Sequence, residues 1–204
     1  MALLLEISNV KKCLDISHDI GKGPIMAEIV AVLGAGQMGA GIAQVAAQAG
    51  YFVILRDLQM SLVKDGLQTI ENNLDKIVDH KLIDKENKDA VINRIHGTTD
   101  LSELKQADLV IEAVVENMAV KKQIFAELDN ICPAHTVLAT NTSSLSISEI
   151  AASTRRQKQI LGMHFLNPVV YSCLVELVRG LETSDDTVAT ASKFINTIGK
   201  DYIV

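Results

Sequence analysis

Cysteine, tryptophan and an excess of basic charge are what this sequence has little of. Its three cysteines, Cys13, Cys132 and Cys173, stand far apart with no Cys-x-x-Cys between them. That spacing offers neither a disulfide framework nor a zinc site, so the expectation is no metal and a reducing, cytoplasmic setting. Tryptophan is absent, and three tyrosines and four phenylalanines are too few to build base-stacking platforms. A formal net charge of −6 supplies no basic surface for a nucleic acid or an anionic membrane. Long apolar runs are missing as well. Met1–Leu5 offers three leucines before Glu6, and nothing later approaches the roughly 20 apolar residues of a membrane span. Asp15 and Asp19, with no arginine before Arg56, speak against a transit peptide. Gly21-Lys22-Gly23-Pro24 reads as a linker, so residues 1–25 are expected to be an extension and 26–204 the folded domain, with Met26 a candidate natural start.

What the chain does have is concentrated between Ile29 and Asp57. A strand-length apolar run, Ile29–Leu33, breaks at Gly34-Ala35-Gly36-Gln37-Met38-Gly39, continues in helical style to Gly50, and is followed by a second apolar run ending at Asp57. A Gly-x-Gly-x-x-Gly in that strand, helix, strand, acid context is a dinucleotide-binding signature. Gly34 permits the tight turn, Gly36 lets a pyrophosphate approach the backbone, and Gly39 lets the helix pack closely on the strand. Gln37 and Met38 then open the helix, whose free N–H groups face the phosphates. The Asp57 carboxylate suits ribose hydroxyls and repels a 2′-phosphate, which favours NAD; Arg56, which can accommodate that phosphate, keeps NADP open.

The remaining pattern is that of an α/β protein with a doubly wound, mostly parallel sheet. Ser61 is a candidate cap for a helix with apolar positions Leu62, Leu67, Ile70, Leu74, Ile77 and Val78. A second helix starts near Asp84, and the two form a helical hairpin carrying Lys64, Lys76, Lys81, Lys85 and Lys88 on a solvated face. Strands are expected at 95–99, 108–114, 136–140, 160–164 and 174–179, with a last one starting at Tyr202. A helix over Met118–Ile131, with the stripe Val120, Ile124, Phe125, Leu128 and Ile131, ends before Pro133. Another spans about 184–199. Glu116-Asn117 and Asn141-Thr142-Ser143-Ser144 both fall at carboxyl ends of strands, where open α/β sheets bind ligands. From spacing alone the hydroxyls of the second group are better read as capping the helix through Ile147 and Ile150.

Oxidising an alcohol with a nicotinamide cofactor requires a proton acceptor, and histidine titrates near neutrality. His18, His80 and His96 belong to surface elements and His135 to a loop; His164 alone ends an apolar strand. Glu176, within Leu174-Val175-Glu176-Leu177-Val178, is an acid in an apolar strand and needs a partner there. A His164–Glu176 pair would fix the imidazole tautomer.

Five ordered motifs carry a family resemblance: Gly34–Gly39, Glu112-Ala113-Val114-Val115-Glu116-Asn117, Asn141-Thr142-Ser143-Ser144-Leu145, His164-Phe165-Leu166-Asn167-Pro168 and Leu174-Val175-Glu176. Together they resemble the L-3-hydroxyacyl-CoA dehydrogenases, and among them the bacterial 3-hydroxybutyryl-CoA dehydrogenases. The resemblance implies a Rossmann-like NAD-binding domain and reversible oxidation of a short-chain 3-hydroxyacyl-CoA to the 3-ketoacyl-CoA in fatty acid or butyrate metabolism. It implies His164 as general acid/base, Glu176 as its orienting partner, Ser143 on the substrate oxygen and Asn167 beside nicotinamide and substrate. It further implies that Asp57, Glu116 and Lys121 contact NAD, and that the lysine-bearing hairpin lies near CoA. His80 stands where relatives usually carry a CoA-contacting lysine, and Leu166 and Val170-Tyr171-Ser172-Cys173 depart from the usual loop. The family's C-terminal helical domain, which usually forms the dimer interface, is absent from the pattern. The chain is therefore expected to self-associate as a homodimer; the alternative reading is a truncated NAD- and CoA-binding domain with little or no turnover.

Overall fold

The computed structural model describes residues 29–204, so the extension and linker expected over 1–25, and the start at Met26, lie outside the described residues. The elements run β1 Ile29–Leu33, α1 Gln37–Gln48, β2 Phe52–Arg56, α2 Met60–Asp79, α3 Lys85–Ile92, β3 Ile95–Thr98, a 3₁₀ turn Leu101–Gln106, β4 Leu109–Glu112 and α4 Met118–Ile131. They continue with β5 Val137–Thr140, α5 Ile147–Ala151, β6 Ile160–Phe165, β7 Leu174–Arg179, α6 Asp185–Thr197 and β8 Asp201–Ile203.

Near-continuous apolar strands demand cover on both faces of a sheet, and the alternation of side chains divides each strand between two cores. Val30 and Val32 of β1 pack with Ile42, Val45, Ile70, Leu74 and Phe194, beneath α1, α2 and α6. Ala31 and Leu33 pack on the other face with Leu104, Phe125, Leu128 and Ile150, beneath the 3₁₀ turn, α4 and α5. The sheet order is β3-β2-β1-β4-β5-β6-β7-β8. Pairing is parallel except for β6 with β7, which is antiparallel. Strands are added on one side of β1 as β2 and β3 and on the other as β4, β5 and β6. The crevice at this reversal is where open α/β sheets take their ligands.

The helical hairpin forms as expected, α2 and α3 following β2, with the Asp84 side chain accepting from Asn87 N–H at 2.8 Å to start α3. Its details differ. Gln59, not Ser61, precedes α2, and no side-chain cap bond forms there. The buried stripe is Val63, Gly66, Ile70, Leu74 and Ile77, leaving Leu62 43% exposed. Gly66 replaces a larger residue because a Cβ there would stand 2.6 Å from the Ala35 carbonyl oxygen, so α2 is drawn against the backbone of the glycine turn. Lys88 leaves the solvated lysine face: its side chain pairs with Asp75 and, at 3.6 Å, with Glu71. Helix α4 has the expected bounds, but Val120 is exposed while Lys121 and Asp129 are buried beside Phe125 and Leu128. Strand β4 stops at Glu112, two residues short of the expected apolar run, because Ala113 and Val114 leave the sheet to turn.

Asp129 ties the end of α4 to the segment that leads into β6. Its Oδ2 accepts from Arg155 N–H at 3.0 Å and Arg155 Nε at 3.1 Å, and its Oδ1 accepts from Arg156 Nε at 2.8 Å. Arg156 also donates to the Pro133, Cys132 and Asp129 carbonyls, closing the helix end. Burial pushes the Asp129 carboxyl up, but the bonds from Arg155 N–H and the two guanidinium groups outweigh it and hold it below its ordinary value. A depressed folded pKa means the stabilisation is complete above the unfolded carboxyl range of about 4 and is lost as pH falls through the folded value. Asp129→Asn should therefore lower the urea midpoint at pH 7 and flatten its decline between pH 5 and pH 2; an unchanged acid limb would show that other carboxylates set it.

Candidate active site

The glycine turn tests whether a dinucleotide fits. Gly34 has φ +96°, a conformation that favours glycine, and a Cβ there would stand 2.5 Å from the Ala113 carbonyl oxygen. A Cβ on Gly39 would collide with the Gly34 carbonyl oxygen and stand 3.4 Å from Val32 Cγ1. Gly36 is different, since a Cβ there meets no atom of the described residues within 4 Å. Helix α1 begins directly after it with no acidic residue in its first turn, and among the described residues no side chain caps its leading N–H groups. The three glycines thus divide as the sequence predicts, two for close backbone contact and one for room, and the turn fits a pyrophosphate.

Asp57 follows β2 and turns back to this loop. Its Oδ2 accepts from Ala35 N–H at 2.7 Å and its Oδ1 from Leu58 N–H at 2.6 Å. Arg56 points away, Nε donating to the Thr99 carbonyl at 3.4 Å.

At the far side of the crevice, antiparallel pairing sets His164 of β6 directly opposite Glu176 of β7. His164 Nδ1 lies 2.7 Å from Glu176 Oε2. The pair expected from the sequence is formed, although Glu176 is not in the interior: its side chain is 40% exposed and that of His164 21%. Asn167, exposed beyond β6, accepts a 3.2 Å bond at Oδ1 from Gln37 Nε2 and so joins the glycine turn to the histidine segment. The Asn167–Pro168 bond is cis. Lys200, buried before β8, donates to the Val169 carbonyl at 2.7 Å and to that of Ser172, holding the loop between the paired strands.

Ser143 lies after β5, exposed. The capping alternative goes to other hydroxyls: Ser146 caps α5 by accepting from Glu149 N–H, and Thr142 Oγ1 accepts from Ser144 and Leu145 N–H. Asn141 Oδ1 accepts from Phe165 N–H at 2.8 Å, clamping the Ser143 loop to the strand end that carries His164. Glu116 is half exposed, with Thr142 and Ser144 hydroxyls on its Oε1. Lys121 is fully buried, its Nζ 2.7 Å from Glu112 Oε1 and 3.4 Å from Glu116 Oε2. Sequence reasoning gave Glu112 and Asn141 no role within their motifs and missed Lys200; an acid ending an apolar strand was a readable signal only for the first. Among the described residues no group of three His, Cys, Asp or Glu side chains is placed to hold a metal. Burial pushes the Cys132 thiol up to about 11.

With this geometry in place, the sequence model described as "3-hydroxyacyl-CoA dehydrogenase, NAD binding domain" matches residues 29–204. The chain belongs to this family. A probable 3-hydroxybutyryl-CoA dehydrogenase of Bacillus subtilis is 46% identical over 174 residues, covering 85% of this chain and 61% of the relative. A mitochondrial hydroxyacyl-coenzyme A dehydrogenase of Sus scrofa is 40% identical over 182 residues, covering 86% and 58%. The crystal structure of (S)-3-hydroxybutyryl-CoA dehydrogenase from Ralstonia eutropha superposes with a TM-score of 0.85 at 40% identity, covering 87% of this chain and 62% of that one. The chain thus spans about three fifths of the length of these relatives. No helix among the described residues is long and apolar enough to cross a membrane.

Because no atom of the described residues lies within 4 Å of a Cβ at Gly36, Gly36→Val should unfold at the parent temperature yet lose NADH binding, read by the fluorescence of added NADH. Binding retained at parental affinity would show that the cofactor does not use the space above this turn.

Proposed function

We propose that the chain is the NAD-dependent part of an enzyme interconverting 3-hydroxyacyl-CoA and 3-ketoacyl-CoA, with a short acyl chain such as 3-hydroxybutyryl. The observation that carries this reading is the His164–Glu176 pair, 2.7 Å apart and joined through Asn167 and Gln37 to the glycine turn. Family membership and the names of the relatives supply the substrate class.

NAD would be held by Gly34, Gly36, Gln37, Met38 and Gly39 at the turn, by Asp57 at a ribose, and by Glu116, Ser143 and Asn167 across the crevice, with Lys121 behind Glu116. When bound, NAD supplies the hydride acceptor for alcohol oxidation and, reduced, the hydride donor for ketone reduction. Glu176 takes the Nδ1–H of His164 as a hydrogen bond and so leaves Nε2 with the lone pair. Nε2 then accepts the proton of the 3-hydroxyl during oxidation, and in the reverse direction the protonated ring returns it to the ketone oxygen. Ser143, free of capping duty, offers its hydroxyl to the same oxygen. The exposed lysines Lys64, Lys76, Lys81 and Lys85 give CoA phosphates a cationic neighbourhood on the hairpin.

A second reading, an NAD- and CoA-binding module with little turnover, is favoured by the openness of the site. Ser143 and Asn167 are exposed and so is much of Glu176, whereas proton and hydride transfer gain from excluding water. NADH oxidation by the purified chain with acetoacetyl-CoA separates the two. Turnover that His164→Ala lowers by about a hundred- to ten-thousand-fold, with NADH affinity retained, is the expected result. No turnover from a folded, NADH-binding chain would establish the module.

The proposal includes a cytoplasmic location, in keeping with three cysteines that stand far apart in the sequence, and a homodimer. Leu181, Ile203 and Val204 are 90%, 54% and 66% exposed, an apolar surface suited to self-association. Sedimentation velocity should show dimer at tens of micromolar chain; a clean monomer there would exclude it.

A further inference from the structure

Glu112 is a carboxylate with 0% exposure at the end of β4, next to the crevice, and the proposed chemistry gives it no task. Both of its oxygens accept hydrogen bonds. Oε1 accepts from Val114 N–H at 2.7 Å and from Lys121 Nζ at 2.7 Å, and Oε2 accepts from Thr140 Oγ1 at 2.7 Å. The lysine it holds is equally buried and reaches one further anion, Glu116, at 3.4 Å. Two carboxylates and one ammonium group therefore share this pocket, and the exposed member is Glu116. Burying a charge is costly unless it is paired and hydrogen-bonded, so the arrangement must be fixed by what it orients or by what it stabilises.

The geometry assigns Glu112 the role of a positioning residue for NAD: through Lys121 it fixes the Glu116 carboxylate, and through Val114 N–H it fixes the turn that carries Glu116. Both links end on the same short segment. Val114 is the first residue beyond the Ala113 carbonyl that abuts Gly34, and Glu116 stands at the far end of that turn, with Thr142 and Ser144 on its other oxygen. Without Glu112 the ammonium group of Lys121 is left with Glu116 alone, and the carboxylate is drawn toward the lysine and away from the crevice. Glu112 touches nothing that reacts; it acts on where Glu116 points. This rests on the reading that Glu116 contacts NAD.

The test is NADH affinity, measured by fluorescence titration of the full chain, in single and combined variants whose folding is checked by thermal unfolding. Glu116→Gln is expected to weaken NADH about tenfold. Glu112→Gln is expected to do the same in the parent and to add less than about twofold in a Glu116→Gln background, the coupling expected of residues acting in one network. Glu112→Gln leaves a buried lysine short of a partner and risks the fold, so Glu112→Gln with Lys121→Met removes both charges and keeps the core neutral. That pair is expected to fold and still to bind NADH weakly. Parental NADH affinity in the charge-free pair, or equal losses from Glu112→Gln with and without Glu116, would make Glu112 a structural ion-pair member and overturn the inference alone. Parental affinity in Glu116→Gln would overturn both the inference and the reading of Glu116 as an NAD contact.

Discussion

The structure depends on three stretches of backbone meeting at the middle of the sheet with no side chain between them. The Gly34 turn leaves β1 against the Ala113 carbonyl, the first turn of α1 passes over the Gly34 carbonyl at Gly39, and α2 rests on the Ala35 carbonyl at Gly66. Close packing of this kind transmits displacement, since interiors are dense and have few voids to absorb it. The position of the glycine turn therefore sets where α1 starts, where the helical hairpin lies and where β4 gives way to the segment carrying Glu116. The same crowding leaves Gly36 as the place where the turn opens outward.

A second constraint organises the other side of the crevice. Parallel strands deliver their carboxyl ends to one edge of the sheet, and loops after β1, β2, β4, β5 and β6 all arrive there. The chain then joins them by side chain to main chain bonds that cross between strands: Asp57 to Ala35, Asn141 to Phe165, and Asn167 to Gln37 by side chains alone. Each such bond removes freedom from a loop that the strands have only brought near. A net hydrogen bond is worth about 0.5–1.5 kcal/mol, so these links act mainly by choosing a single arrangement.

Much of this was legible in the sequence because local rules and tertiary demands agreed. The glycine turn, the Asp84 and Ser184 starts, the bounds of α4 and the His164–Glu176 pair all follow from residues that act within their own element or directly across a strand pair. The misreadings share a physical cause. Helical periodicity identifies a face but leaves its phase uncertain by about one residue. Hence Val63 and Gly66 lie inward while Leu62 does not, and Lys121 takes the place expected for Val120. Glu112 and Lys121 were illegible as a pair because their union depends on the return of α4 across β4, and Ser61 was misread because a hydroxyl near a helix start caps only when it sits just before it. Family membership confirms the fold; it leaves the pocket around Glu112 to be read from geometry.

The hairpin-like pairing of β6 with β7 has one more consequence. His164 and Glu176 face each other by ladder register, while the chain between them is held at its own point by Lys200 on the Val169 and Ser172 carbonyls. The His164–Glu176 pair and the connecting loop are thus anchored separately, so the loop is free to diverge in composition, as at Val170-Tyr171-Ser172-Cys173, without moving the pair. What the loop meets and how the two side chains face each other become separable problems, so the surface beside the crevice can change while the pair keeps its geometry.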